Sequence, residues 1–295
     1  VAATWPVLPQ LVVYSKETLN DEPTMQLRTD VTTRAEQVAY LAGALDGLYA
    51  GPAIPSPIRG GRRAALRRLR AFDARGYART RNDVAKRGVS VLSPYLRHGV
   101  LTLAEVRDSI LSRFGHTPDT EKFVNELAWR AFWQLVYAQL GDRIQHDLEP
   151  AKHRSRAPRR QLPPEVAAAS TGLVCIDESL RELYTTGYMH NHARMWVAAY
   201  LQHWLGVDWR EGAELFYRHL LDGDPASNSL SWQWVGSTFS HKPYIFNRHN
   251  VERFSDGAFC ARCPLAAGGC PFDDSYENLA QRLFGVSLAE LEGRR

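Results

Sequence analysis

The chain has 295 residues, a formal net charge of +4 and only four cysteines. That length suits one large domain or two modest ones. So few cysteines, three of them crowded between residues 260 and 270, exclude a disulfide-stapled secreted scaffold and fit a metal centre in a reducing compartment.

The opening stretch VAATWPVLPQLVVYS is broken by Pro6 and Pro9 and lacks the charged start and small-residue cleavage site of a signal peptide. No apolar run approaches a membrane span, so a cytoplasmic protein that does not enter the membrane is expected. Residues 1–58 read as an N-terminal extension and linker. Within them TTRAEQVAYLAGALDGLYAG (32–51) has apolar residues at helical spacing and ends in glycine. GPAIPSPIRGG (51–61) is a linker by its prolines and glycines. RRAALRRLRAF restarts a helix, and others follow at about 102–113, 119–140, 175–186, 189–205 and 211–221. EPAKHRSRAPRRQLPPE (149–165) is a long basic loop. No internal repeat and no βαβ alternation is visible, so the expected fold is all-α, with residues 59–295 as one helical domain.

Charge is unevenly spread. Between Arg59 and Arg87 ten arginines and one lysine stand against two acids, Asp73 and Asp83, and KHRSRAPRR (152–160) has no acid. Such clusters can track a phosphate backbone, or they can be solvated helix faces.

Three segments carry chemistry. DGDPASNSLSWQWVGS (222–237) reads as a polar loop in which two acids flank a glycine and tryptophans follow closely. Acids so spaced can bind ribose hydroxyls or a cation, and the tryptophans can stack on a flat ring. The plainer alternative is a core tryptophan pair beside a turn. In NELAWRAFW, Glu126, Trp129 and Arg130 share a helix face, and in GYMHNHARM, Asn191, Arg194 and Met195 repeat that spacing. Core faces are seldom built from Glu, Asn and Arg, so these faces point to a polar cavity lined with aromatics. His190 and His192 are not i, i+4 and do not read as a metal pair.

The run from TGYMHNHARM through LLDGDPASNSLSWQW resembles the FAD-binding domain of the photolyase/cryptochrome family, and the likeness extends back through NELAWRAF and RGVSVLSPYLRHGV to Tyr77. The resemblance implies a helical domain holding FAD in a bent shape, without the usual N-terminal α/β antenna domain, like the short antenna-less photolyases. It implies that Tyr77, Ser90, Leu92 and Ser93 wrap the FAD phosphates, with Val89 where a threonine is usual. Asp222, Gly223 and Asp224 would lie beside the ribose and flavin. Arg194 would pair with the first acid, Arg130 would join the cofactor side, and Asn228 would face flavin N5. Glu126, Trp129, Asn191, Met195 and Trp234 match the substrate pocket of cyclobutane pyrimidine dimer photolyases. His192 stands where arginine is common. Trp232 and Trp209 match the first two members of the family's electron-transfer chain, whose third member is missing.

The implied partner is UV-damaged DNA, single- or double-stranded, bound by a monomer. Rival readings are a blue-light photoreceptor without repair and a single-stranded DNA binder using the aromatics and basic patch. By spacing, Cys175, Cys260, Cys263 and Cys270 suit structural zinc as well as an iron–sulfur cluster. The stretch SHKPYIFNRHNVERFSDGAFCARC resembles the iron–sulfur branch of bacterial cryptochromes and photolyases, and that resemblance implies a [4Fe–4S] cluster on these four cysteines.

Overall fold

In the computed structural model, residues 28, 30–48, 53–153 and 158–293 are described. The opening stretch VAATWPVLPQLVVYS, part of the 51–61 linker and the middle of the basic loop lie outside them. The chain divides into a unit ending at Pro55 and a second unit from Ser56 to Arg295.

The first unit contains one described helix, α1 (Arg34–Ala44). Thr33 and Glu36 close a reciprocal capping box at its start, satisfying two backbone N–H groups the helix itself cannot.

The second unit is built from α2 (Arg62–Ala71), α3 (Tyr77–Thr80), α4 (Ser93–Arg97), α5 (Leu103–Phe114), α6 (Pro118–Leu140), α7 (Pro164–Ala167) and α8 (Val174–Thr186). It continues with α9 (Asn191–Ala199), α10 (Trp209–His219), α11 (Pro225–Val235), α12 (Arg248–Ser255), α13 (Tyr276–Phe284) and α14 (Leu288–Leu291). Among the described residues the only β pairing is an isolated bridge between Arg159 and Val207, so the fold is all-α.

Local sequence explains the helices that matter most. Thr117 caps α6, Pro118 occupies the first turn where its missing N–H costs nothing, and the helix runs 23 residues to Gly141. Helix α8 ends on Gly187 at φ 70°, the left-handed conformation glycine adopts without a Cβ penalty. The helix expected over 189–205 is instead α9 followed by a π turn, Tyr200–Trp204. The segment 222–237 is a correction: most of it is helix α11, not loop. Asp224 accepts the Ser227 N–H at 2.8 Å and Pro225 supplies the first turn, so residues that look like turn formers are a helix start.

Two large apolar clusters hold the second unit, beside a small third one around Leu279 and Leu291. The larger gathers Leu180 and Leu183 of α8, Trp196 and Val197 of α9, Phe216 of α10 and Trp232 of α11. The other joins Ala65 and Leu69 of α2, Val106 and Ile110 of α5 and Phe123 of α6. Each fully buried Leu or Ile contributes about 1.5–3 kcal/mol relative to exposure. The two clusters leave the polar faces of α6, α9 and α11 to form a cavity.

Candidate functional site

Helix α6 supplies one wall of that cavity. Lys122, Glu126, Trp129, Arg130 and Trp133 recur along one face at helical spacing. Helix α9 brings Asn191, Arg194 and Met195, and α11 brings Asn228, Trp232 and Trp234. The turn between α10 and α11 adds Asp222, Gly223 and Asp224. Together they enclose about 420 Å³.

Both acids of the turn are almost fully buried and each has a cation. Asp222 accepts from Arg194 Nη2 at 2.9 Å through Oδ2, while its Oδ1 is buried with no partner among the described residues. A buried acceptor left open costs about 1–3 kcal/mol, so Asp222 is set to receive a donor from a ligand. Asp224 is saturated: Oδ2 accepts from Arg130 Nη1 at 2.8 Å, and Oδ1 accepts from Gln134 Nε2 at 2.8 Å as well as from the α11 backbone. Arg97 Nε donates to the Gly223 carbonyl at 2.6 Å and fixes the turn between the acids.

Asn228 donates its Nδ2 to the Ala213 carbonyl at 2.7 Å, so the amide is oriented and its Oδ1 is the atom left over. Glu126 is held by two cations through one oxygen, Arg81 at 3.3 Å and Lys122 at 2.9 Å. Trp129 and Trp234 are 49% and 38% exposed, which places two aromatic faces at the solvent side of the cavity. Trp129 stacks at a tilt on Trp133 at 5.4 Å, and Trp133 leans on Phe239 at 5.7 Å. Asn191 is exposed with its amide 4.0 Å from Met195 Sδ. His192 lies away from the cavity, buried against Phe254 with Nε2 3.3 Å from Asn250 Oδ1.

Trp232 is buried edge-on to Phe216, ring centroids 5.0 Å apart. Trp209 donates Nε1–H to Asp147 Oδ1 at 2.8 Å, beneath the Arg210 guanidinium 4.7 Å over its ring.

The residues expected to wrap phosphates do not line this cavity. Tyr77 packs against Phe72 and Phe123 in the second core cluster, where burial raises its phenol pKa and the Glu126 charge raises it further. Leu92 is core. Ser90 takes Arg68 Nε on its carbonyl at 2.9 Å, and Ser93 opens α4. Their neighbours Val89 and Val91 instead border a second cavity of about 550 Å³. Nor is the arginine-rich run a uniform cationic face. Arg62 pairs with Glu105, Arg75 with Asp73 and Arg87 with Glu182.

All four cysteines line one small void between the start of α8 and the 260–270 loop, walled by Leu173, Val251, Phe259 and Phe272. Burial and the neighbouring thiols raise the Cys175 pKa, and burial pushes Cys260 up to about 11. The expected metal centre is not present as a ready single-ion site: among the described residues, no three His, Cys, Asp or Glu side chains are placed to hold one metal ion.

Sequence reasoning missed Arg81, Lys122, Gln134 and Arg97. Lys122 and Gln134 were findable, because each lies four residues from a singled-out residue on α6 (Glu126 and Arg130). Arg81 and Arg97 come from other helices and carry no local signal.

A family profile described as "FAD binding domain of DNA photolyase" matches residues 123–258. A deoxyribodipyrimidine photo-lyase of Streptomyces griseus is 36% identical over 187 residues, covering 62% of this chain and 40% of that protein. The deoxyribodipyrimidine photo-lyase of Escherichia coli K12 is 34% identical over 203 residues, covering 63% and 42%. The chain thus spans about two fifths of these curated relatives. Among solved structures, a class III photolyase from Agrobacterium tumefaciens superposes with a TM-score of 0.61 at 25% identity, covering 78% of this chain and 58% of the other. A Synechocystis cryptochrome gives 0.59 at 25% identity, covering 68% and 44%. The matched profile spans α9, α10, α11 and most of α6, the elements that build the cavity, and in this region the chain is similar to the FAD-binding domain of DNA photolyase.

Proposed function

We propose that the chain performs light-driven repair of cyclobutane pyrimidine dimers in DNA, with FAD held in the 420 Å³ cavity. The observation that carries this reading is the sharing of one cavity by two residue sets. Glu126, Asn191, Met195, Trp129 and Trp234 line it toward solvent, and Asp222, Asp224, Arg130, Arg194 and Asn228 line it with the acid turn. The open Asp222 Oδ1 suits a ribose hydroxyl or a ring N–H of FAD, and the oriented Asn228 Oδ1 suits a protonated flavin N5. FAD held by these residues would supply light-driven one-electron chemistry to the dimer.

The protein's own part is orientation and charge. The flipped dimer stacks on Trp129 and Trp234, whose exposed faces are available without unfolding anything. Asn191 hydrogen-bonds a base edge, and Met195 fills the apolar side. The free Glu126 oxygen accepts from the base, while Arg81 and Lys122 offset the negative charge that develops there. Exposed arginines without carboxylate partners among the described residues, such as Arg79 of α3, contact DNA phosphates. Trp232 and Trp209 would serve as the chain's own electron donors toward a bound flavin.

The test is loss of dimer absorbance in an irradiated thymine oligonucleotide incubated with reduced protein under blue light. Glu126→Ala should lower repair yield about tenfold or more while leaving lesion affinity within about threefold, because Glu126 holds Arg81 and Lys122 beside a negative charge that exists only after electron transfer. A wild-type preparation that leaves the dimers unchanged overturns the repair reading and favours the photoreceptor.

The four cysteines are read as ligands of a [4Fe–4S] cluster. Their convergence on one void supports this. The purified protein should contain about four irons and four acid-labile sulfides per chain. Cys260→Ser should be largely insoluble, since the group ties the 260–270 loop to α8. One zinc per chain and no sulfide would sink the cluster.

A further inference from the structure

The second cavity is lined almost entirely by residues that the proposed chemistry does not use. One wall is a face of α2, with Ala64, Arg67, Arg68 and Ala71 repeating at helical spacing. Arg59 and Arg87 add two more guanidinium groups, and Val89, Val91 and Tyr95 close the side beside α4. Opposite stand Glu182, Thr186, Tyr188 and His190. Four arginines thus face one acid, and that acid is already taken by Arg87 at 3.0 Å. Arg68 spends only Nε, on the Ser90 carbonyl at 2.9 Å, and Arg67 has no carboxylate partner among the described residues.

Two further observations point to a ligand. His190 is 3% exposed, and its Nδ1 accepts the His192 N–H at 3.1 Å as the cap of α9, so the ring proton sits on Nε2. That Nε2–H is buried with no partner among the described residues. Burial holds the imidazole neutral, its pKa lowered to about 4, so it offers a donor without adding charge. Val91, meanwhile, sits at φ +51°, a left-handed conformation that a β-branched residue avoids. Strained backbone of this kind persists where the surroundings fix it, and such positions gather at ligand sites.

We propose that this cavity is a binding site for a phosphate-bearing ligand, held by Arg67 and Arg68 of α2. The guanidinium fork matches phosphate oxygens, and the apolar strip of Ala64, Ala71, Val89 and Tyr95 receives the non-ionic part of the ligand. The phosphate has two sources: a free nucleotide, or the diphosphate of FAD itself. The second source rests on the reading given under Proposed function, and the first does not.

The full chain as purified, with its flavin content measured, is titrated with ADP by calorimetry. Arg67→Gln/Arg68→Gln removes both charges at little cost in helix propensity. Arg63→Gln/Arg70→Gln removes two charges from an adjacent face of the same helix that does not line the cavity. If the site takes a free nucleotide, ADP binds, the Arg67/Arg68 variant binds at least tenfold more weakly, and flavin content does not change. If the site takes the diphosphate of FAD, flavin-loaded protein ignores ADP and flavin-stripped protein binds it. The Arg67/Arg68 variant then purifies with at least tenfold less flavin. The proposal is overturned if that variant leaves both readouts within twofold of wild type, or if the Arg63/Arg70 control weakens them as much. A chain that never holds flavin yet binds ADP through Arg67 and Arg68 would refute the FAD reading and leave this site standing.

Discussion

Asp224→Ala should purify without flavin and unfold about 3–5 kcal/mol more easily than wild type. The side chain is 3% exposed and serves three donors at once: Arg130, Gln134 and the Ser227 N–H that starts α11. Truncation leaves the Arg130 guanidinium, 19% exposed, without the only carboxylate it pairs with among the described residues. That desolvated, unpaired charge dominates the loss, and the missing helix cap adds about 1 kcal/mol. Asp224→Asn separates the two effects. Its remaining carbonyl oxygen still caps α11, but its amide cannot accept from Arg130. Urea unfolding of the three proteins should rank wild type, Asn and Ala in falling stability. Equal midpoints for Asp224→Ala and wild type would show that Arg130 finds another partner and that the acid turn is not the anchor described here.

Gly212→Ala should destabilise the protein, although alanine is the better helix former by about 1 kcal/mol. Gly212 lies within α10, and a Cβ built on it would meet Trp232 Cη2 at 2.2 Å and Cζ3 at 2.4 Å. Real Cβ atoms do not approach so closely, and Trp232 cannot yield. It is 2% exposed and backed by Phe216. Forcing a methyl into packed core costs about 1–3 kcal/mol, which outweighs the propensity gain. The displaced indole should also slow flavin photoreduction if Trp232 is the first electron donor. Adding Trp232→Phe removes the six-membered edge that the methyl strikes, so the double variant should recover most of the lost stability. The interaction term of that double-mutant cycle is the measurement. A Gly212→Ala protein that melts above wild type would mean α10 shifts to make room.

The two predictions also show where the sequence was legible. Glu126, Trp129 and Arg130 could be placed on one face because a helix of 23 residues repeats its spacing without interruption. The same holds for Asn191, Arg194 and Met195 on α9. Helix α11 was hidden because its first residues, Asp224, Pro225 and Ser227, are those that also make turns. Only the backbone decides between a turn and a helix start. Tyr77, Ser90, Leu92 and Ser93 were assigned to the FAD phosphates by resemblance alone; Tyr77 and Leu92 lie in the second core cluster, and the Ser90 carbonyl accepts from Arg68. The arginine run could not be partitioned from sequence, since the acids that neutralise it, Glu105 and Glu182, lie far along the chain. Gly212 gave no signal, because its constraint comes from a side chain twenty residues on.

The continuity of α6 has a consequence for how this cavity tolerates change. One uninterrupted rod carries Lys122 and Glu126, then Trp129 and Arg130, then Trp133 and Gln134. Each residue advances the helix by about 100°. A single inserted residue between Glu126 and Trp129 would therefore rotate the aromatic step and the Asp224 clamp together, out of line with the carboxylate behind them. Point substitutions along α6 can be absorbed one side chain at a time, whereas any change of length splits the two halves of the site at once. The spacing of this helix, more than the identity of most of its residues, is what a descendant of this chain must inherit intact.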